Sequence, residues 1–256
     1  MNILFTLCGR AGSKGFKNKN LKQFVDKPLV YYSIAAIALY KESVNVEESR
    51  VDAVLNTDSN ELIELVKSQH SVPFSVIKRC PDLGGDDVPK VEVIKDCLKK
   101  MEESEGLEYD VVVDLDITSP LRTLQDVRNA IEKKVGNPEC DVVYSVTESR
   151  RNPYFNMVKK GELFFEKAIA SEYTARQQTP KFYDMNASIY AYSVDALKEK
   201  ESKKFFNDKC DAILMKDTGI LDIDSEEDFE LMQIIARYLF GNIKGFSEIY
   251  EKTNLI

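Results

Sequence analysis

At 256 residues, with 43% hydrophobic and 30% charged residues, the chain has a globular composition and enough length to bury a sizeable core, and one domain over residues 1–256 is expected. A net charge of −8 excludes the broad basic field that binding to nucleic acid or an anionic membrane requires, so any anionic ligand needs a local basic patch. Five scattered cysteines without a CxxC pair exclude a disulfide framework and a zinc site; together with an opening apolar run too short for a leader or a span, they predict a cytoplasmic protein.

Short β-branched or apolar runs at residues 3–8, 51–56, 74–77, 111–115 and 142–146 predict strands. Helical spacing occupies residues 28–40, 59–68, 91–101 and 126–135 between them, with Pro28 suited to a first turn and Ser59 to an N-cap. This alternation predicts an α/β fold, a parallel Rossmann-like sheet with helices on both faces in three αβα layers. The rhythm changes at about residues 152–192, where strands are expected at 154–158, 163–165 and 188–192, with Lys159-Lys160-Gly161 as a hairpin turn. The αβ pattern resumes with a strand at 212–215 and a helix from about 226 to 240.

The segment Gly9-Arg10-Ala11-Gly12-Ser13-Lys14-Gly15-Phe16-Lys17-Asn18-Lys19-Asn20-Leu21-Lys22 follows the first strand, at the carboxyl end where open α/β sheets bind ligands. It holds five basic residues and no acidic one. Its glycines allow backbone N–H groups to approach an anion, Arg10 offers a fork to phosphate, and Lys14 and Lys19 add point charges. The spacing GxxGxxG matches neither the dinucleotide fingerprint nor a P-loop. On composition alone the segment reads equally well as a solvated turn.

A second cluster lies near the end of the chain. Asp222 and Asp224, two apart on an extended segment, project to one side while Ile223 faces the other. Two carboxylates suffice for Mg²⁺, which completes its shell with water and substrate phosphates. The same acidic run also suits the start of the final helix, with Ser225 and Asp228 as its cap. His70, the one histidine, follows a predicted helix and is read as a surface residue.

Residues 10–21, Thr118-Ser119-Pro120-Leu121-Arg122, Arg176-Gln177-Gln178 and Asp222-Ile223-Asp224 occur in an order that resembles the acylneuraminate cytidylyltransferases. The strings Arg151-Asn152-Pro153-Tyr154-Phe155-Asn156 and Tyr183-Asp184-Met185-Asn186-Ala187-Ser188-Ile189-Tyr190 resemble the branch that activates legionaminic acid. The resemblance implies that Arg10, Ser13, Lys14, Lys19 and Asn20 hold CTP, that Arg79 and Asp87 lie near the base and ribose, and that Asp222 and Asp224 hold Mg²⁺. It further implies that the excursion at 152–192 protrudes to form a homodimer and reaches the partner's sugar pocket.

The implied reaction joins CMP from CTP to a nonulosonic acid and releases pyrophosphate. Arg10, Lys14 and Lys19, with Mg²⁺, carry the catalysis by neutralising charge. Arg151 and Arg176, with Lys181, are candidates for the sugar carboxylate; Gln177 is a further polar contact, and Tyr183, Tyr190, Phe205 and Phe206 would pack against N-acyl groups. Asp116 stands where sialic-acid enzymes commonly have glutamine, Tyr154 and Phe155 stand where they often have lysine, and Ala11 replaces a common glycine. Other 3-deoxy sugar acids, a sugar 1-phosphate, or a nucleotide sensor without turnover are the competing readings.

Overall fold

The computed structural model describes residues 1–12, 15–45, 47–85, 87–220 and 222–256. In chain order the elements are β1 (Asn2–Cys8), β2 (Gln23–Phe24), β3 (Lys27–Pro28), α1 (Leu29–Ser43), β4 (Arg50–Thr57), α2 (Asn60–Ser68), β5 (Ser75–Lys78), α3 (Lys90–Glu105), β6 (Val111–Leu115), α4 (Leu124–Gly136) and β7 (Val142–Glu148). They continue with β8 (Val158–Lys160), β9 (Phe165–Lys167), β10 (Tyr183–Ser193), α5 (Val194–Glu199), β11 (Cys210–Leu214), α6 (Glu226–Asn242) and α7 (Lys244–Thr253).

Seven strands form one sheet in the order β11-β7-β10-β6-β1-β4-β5. Side chains alternate between its faces, as strand geometry demands. Ile3, Phe5 and Leu7 of β1 and Val111, Val113 and Leu115 of β6 enter a core closed by α1, α2, α4, α6 and α7. Leu4 and Val112 face the other way, into a second core under α3 and α5. The expected three layers are therefore present. Among the described residues no helix is long and apolar enough to cross a membrane.

Helix starts follow the local chemistry. Ser59 Oγ accepts the Leu62 N–H at 3.1 Å, and Thr123 with Asp126 and Ser225 with Asp228 form reciprocal capping boxes.

Two expectations are corrected. The sheet is not wholly parallel: β10 runs antiparallel to both β6 and β7, because the chain turns back after β7 and needs no crossover to pair with it. The strand expected at 154–158 is a turn built on Asn152, whose carbonyl accepts N–H bonds from Phe155, Asn156 and Met157 while its Oδ1 takes that of Tyr154. Pairing starts only at Val158, and β8 and β9 form a hairpin closed by Gly161 N–H to Phe164 O at 2.9 Å, so Lys159 and Lys160, expected in the turn, lie in β8, and Leu163 and Phe164, expected in a strand, lie in the turn.

Candidate active site

From β1 the chain passes to β4 and β5 on one side and then returns to β6 on the other. A crevice opens outside the carboxyl ends of the strands at such a switch point. A cavity of about 500 Å³ occupies it, lined among others by Cys8 at the end of β1, Arg79 just past β5 and Asp116 just past β6. Arg10, Lys19, Asn20, Asp222 and Asp224 line the same cavity, so both sequence clusters converge there.

The basic segment is fastened at several points. Phe16 is buried against Phe229 of α6 with ring centroids 5.3 Å apart, and Ala11 N–H donates to Asp58 Oδ1 at 2.6 Å. Gly12 has φ +75°, whereas Ala11 is not among the positive-φ residues, so the alanine at that position costs the turn nothing. Asn20 is buried and its Nδ2 reaches Arg10 O at 3.3 Å. Ser13 and Lys14 lie outside the described residues.

Lys19 Nζ donates to Ile223 O at 2.6 Å and to Asp224 Oδ1 at 3.3 Å. Gly15 sits so close to the acidic segment that a Cβ there would stand 2.5 Å from Asp224 O. Ile223 is fully buried and its N–H donates to Thr118 O at 3.1 Å. The helix-start reading of the acidic run belongs to Asp228, whose Oδ2 accepts the Asp224 and Ser225 N–H groups. Asp222 and Asp224 are left to face the cavity.

Burial, and then the negative charge of Asp116 and Asp224, raise the Asp222 carboxyl above the usual range, against pulls from Thr118 and Lys19. Two carboxylates, Asp222 and Asp224, on the wall of one cavity are a donor set that fits Mg²⁺ completed by water and substrate oxygens. Among the described residues no set of three or more His, Cys, Asp or Glu is grouped to hold a metal by itself.

Arg79 is fixed by Asn56, with Nε 2.8 Å from Asn56 Oδ1 and Nη2 3.0 Å from Asn56 O. Asp87 is exposed on the following loop, whose Gly85 and Val88 line the cavity. Asp114 follows Val112 on the α3 side of β6, and Asp116 just beyond the strand end lies there too; Lys90, at the start of α3, meets both, 2.7 Å from Asp114 Oδ2 and 2.6 Å from Asp116 Oδ2. Thr6, opposite Asp114 on β1, donates to Asp114 Oδ1 at 2.7 Å. Burial opposes the charge on Asp116, but Lys90 and the Thr118 donors prevail and hold its carboxyl down at about 2. Sequence reasoning missed Asn56, Lys90 and Asp114; the two-residue period of β6 counted from Val112 could have placed Asp114 on the α3 face.

The residues expected at the sugar divide into groups. Arg176 and Gln177 line a separate pocket of about 370 Å³ at the base of the excursion, with Ser149 O accepting from Arg176 Nη2 at 2.9 Å. Arg151 and Tyr183 are exposed nearby in the chain and line neither pocket. Tyr190 and Phe206 pack edge to face at 6.1 Å, and Tyr190 pairs in register with Asp114, so this aromatic pair sits beside the acidic floor. Phe205 has no exposed surface and packs on Tyr192 at 5.7 Å, which makes it a core residue and not a contact for a sugar.

Comparison with known proteins agrees with this geometry. Residues 7–240 match the family described as "Cytidylyltransferase". The chain is 33% identical over 237 residues to the "Post-translational flagellin modification protein B" of Campylobacter coli, covering 92% of this chain and 95% of that one. It is 34% identical over 235 residues to the "CMP-N,N'-diacetyllegionaminic acid synthase" of Campylobacter jejuni, covering 91% and 94%. Its fold resembles that of a CMP:2-keto-3-deoxy-manno-octonic acid synthetase solved with CTP, with a TM-score of 0.63 at 15% identity over 93% of this chain and 99% of that one. The family read from the motifs is thus borne out, and the chain belongs to the cytidylyltransferases.

Proposed function

We propose that this cytidylyltransferase transfers CMP from CTP to the anomeric hydroxyl of a nonulosonic acid of the legionaminic type and releases pyrophosphate. The observation that carries the reading is the single cavity in which Arg10, Lys19 and Asn20 face Asp222 and Asp224. The similarity to a legionaminic acid synthase supports the choice of sugar class.

In the reaction the sugar hydroxyl oxygen attacks the α-phosphorus, its proton passes to water, and the bond to the leaving pyrophosphate breaks. Both partners are anions, so the chain's task is to hold them together against repulsion. Arg10 and Lys19 supply positive charge, joined by Lys14, and the Ser13 hydroxyl is assigned as a neutral donor to phosphate oxygens. Arg79, immobilised by Asn56, and Asp87 are assigned to the base and ribose. Asp222 and Asp224 would hold Mg²⁺, which neutralises phosphate charge when bound.

Assembly as a homodimer is part of the proposal. Leu163, Phe164 and Phe165 of the β8–β9 hairpin are 86%, 82% and 70% exposed, an apolar tip that a partner surface would cover. The pocket of Arg176 and Gln177 shares no lining residue with the nucleotide cavity. A partner's hairpin segment would bring it there, with Arg151 and Tyr183. The five free thiols agree with a cytoplasmic location.

The test is pyrophosphate release from CTP and Mg²⁺ with a panel of nonulosonic acids, an eight-carbon ketosugar acid and sugar 1-phosphates. Release with a nonulosonic acid alone is expected. Reaction only with a sugar 1-phosphate, or CTP binding without turnover, would overturn the reading.

A further inference from the structure

Lys90 is the cavity-lining cation to which the reaction above gives no task. It occupies the first position of α3, and about a third of its side chain (32%) is exposed. Its ammonium lies 2.7 Å from Asp114 Oδ2 and 2.6 Å from Asp116 Oδ2. An ammonium carries three donors, of which one bonds to Asp116 Oδ2, while Asp114 Oδ2 is an ion-pair partner that accepts no hydrogen bond. Burial works against its charge, but the two aspartates outweigh that and keep it protonated.

The aspartates themselves are turned toward protein donors. Asp116 Oδ1 accepts from Thr118 N–H at 3.0 Å and Thr118 Oγ1 at 2.8 Å, and its Oδ2 accepts from Lys90. Asp114 has no exposed surface, and Thr6 occupies its Oδ1. The group on this floor with both a charge suited to an anion and an unused donor is therefore Lys90.

We propose that Lys90 is a substrate-binding residue of which an unused N–H meets an anionic oxygen of a bound substrate, and that Asp116, by hydrogen bond, and Asp114, by ion pair, are positioning residues that aim it. This rests on the cytidylyltransferase reading, in which triphosphate and sugar carboxylate both bring such oxygens. Asp116 then affects sugar use through Lys90, without touching the sugar. The two carboxylates also fix a flexible four-carbon side chain before the ligand arrives, which lessens the ordering cost of binding.

The experiment measures CTP affinity by calorimetry and steady-state pyrophosphate release with the sugar acid the wild-type chain uses best. Lys90→Met alone strands two carboxylates and risks unfolding, so the informative proteins are Lys90→Met/Asp114→Asn and Lys90→Met/Asp116→Asn, in which the floor regains its charge balance. With melting temperatures near wild type, these variants are expected to lose roughly tenfold to hundredfold in one constant, the scale of a hydrogen bond to a charged group. A weaker CTP affinity assigns the oxygen to the triphosphate; an unchanged CTP affinity with a raised sugar KM assigns it to the carboxylate. Asp116→Asn alone should shift the same constant and add nothing in the Lys90→Met background. Folded charge-balanced variants with wild-type constants for both substrates would show that Lys90 is only a counter-ion and overturn the proposal. A wild-type chain that neither binds CTP nor releases pyrophosphate would instead overturn the cytidylyltransferase reading, and this proposal with it.

Discussion

Lys19 and Asp224 stand 205 positions apart in sequence, yet Lys19 Nζ lies 3.3 Å from Asp224 Oδ1 and 2.6 Å from the neighbouring carbonyl of Ile223. The contact links the basic segment to the carboxylates proposed to hold the metal. The Asp224 side chain is 79% exposed, so the pair contributes little to folding. Its value lies in where it holds the two groups.

Asp224→Asn should leave the melting temperature near wild type, since the carboxylate is exposed and caps no helix. Turnover is expected to fall roughly hundredfold or more, as for other preorganised charged groups. Pyrophosphate release against Mg²⁺ concentration checks this, and normal rates at ordinary Mg²⁺ would remove the metal assignment.

Gly15→Ala tests the contact between the two clusters. The new Cβ would stand 2.5 Å from Asp224 O, a backbone atom held through Ile223, so it cannot turn aside as a side-chain tip would. A stability loss of about 1–3 kcal/mol is expected from overpacking, with a larger loss of activity. Denaturant melts and initial rates measured on the same preparation separate the two effects.

Arg122→Met removes a fully buried guanidinium that donates to Asp116 O, Ser119 O, Ser33 Oγ and Ser188 Oγ. Burial has already lowered its pKa to about 10, so the site is costly to charge and depends on these acceptors. Losing the guanidinium's charge-assisted bonds, with only the Ser33 and Ser188 hydroxyls left to donate to Asp116 O and Ser119 O, should cost on the order of 3 kcal/mol. Chemical denaturation of the folded variant is the check.

Acid stability should depend on Asp116. Its carboxyl titrates at about 2 in the folded chain, below the roughly 3.9 of an unfolded aspartate. The folded state therefore binds fewer protons, and the stabilisation is complete above the unfolded value and is lost as pH falls toward 2. Unfolding midpoints at pH 6 and pH 3 should differ less in Asp116→Asn than in wild type.

Leu163→Asp with Phe164→Asp changes two side chains that are 86% and 82% exposed, so the isolated fold should tolerate it. Light scattering should show a dimer for wild type and a monomer for the double variant, with reduced pyrophosphate release. A wild-type monomer with full activity would rule out the proposed assembly.

Strands β1, β4, β5, β6 and β7 were legible because apolar runs encode them locally, and the start of α2 because Ser59 caps it, whereas the two-residue strands β2 and β3 carry no such run. The site was legible in halves: each cluster announces its chemistry by residue type, and only tertiary packing, such as Phe16 on Phe229, joins them. Lys90 was not legible, since a lysine at a helix start looks like any solvated charge until β6 places Asp114 and the turn beyond it places Asp116 beneath it. The direction of β10 was hidden for a related reason. Strand composition records burial and alternation but not the sense in which a chain returns.

The excursion between β7 and β10 is closed at its base by Ser149 N–H to Phe182 O at 2.9 Å, where the two strands already run side by side. Its ends stay together whatever lies between them. Residues can then be added or removed at a loop-closure cost that grows only with the logarithm of length. The segment is thus an interchangeable cartridge in the fold, whose length and sequence can change while the cavity at the carboxyl ends of the strands keeps its geometry.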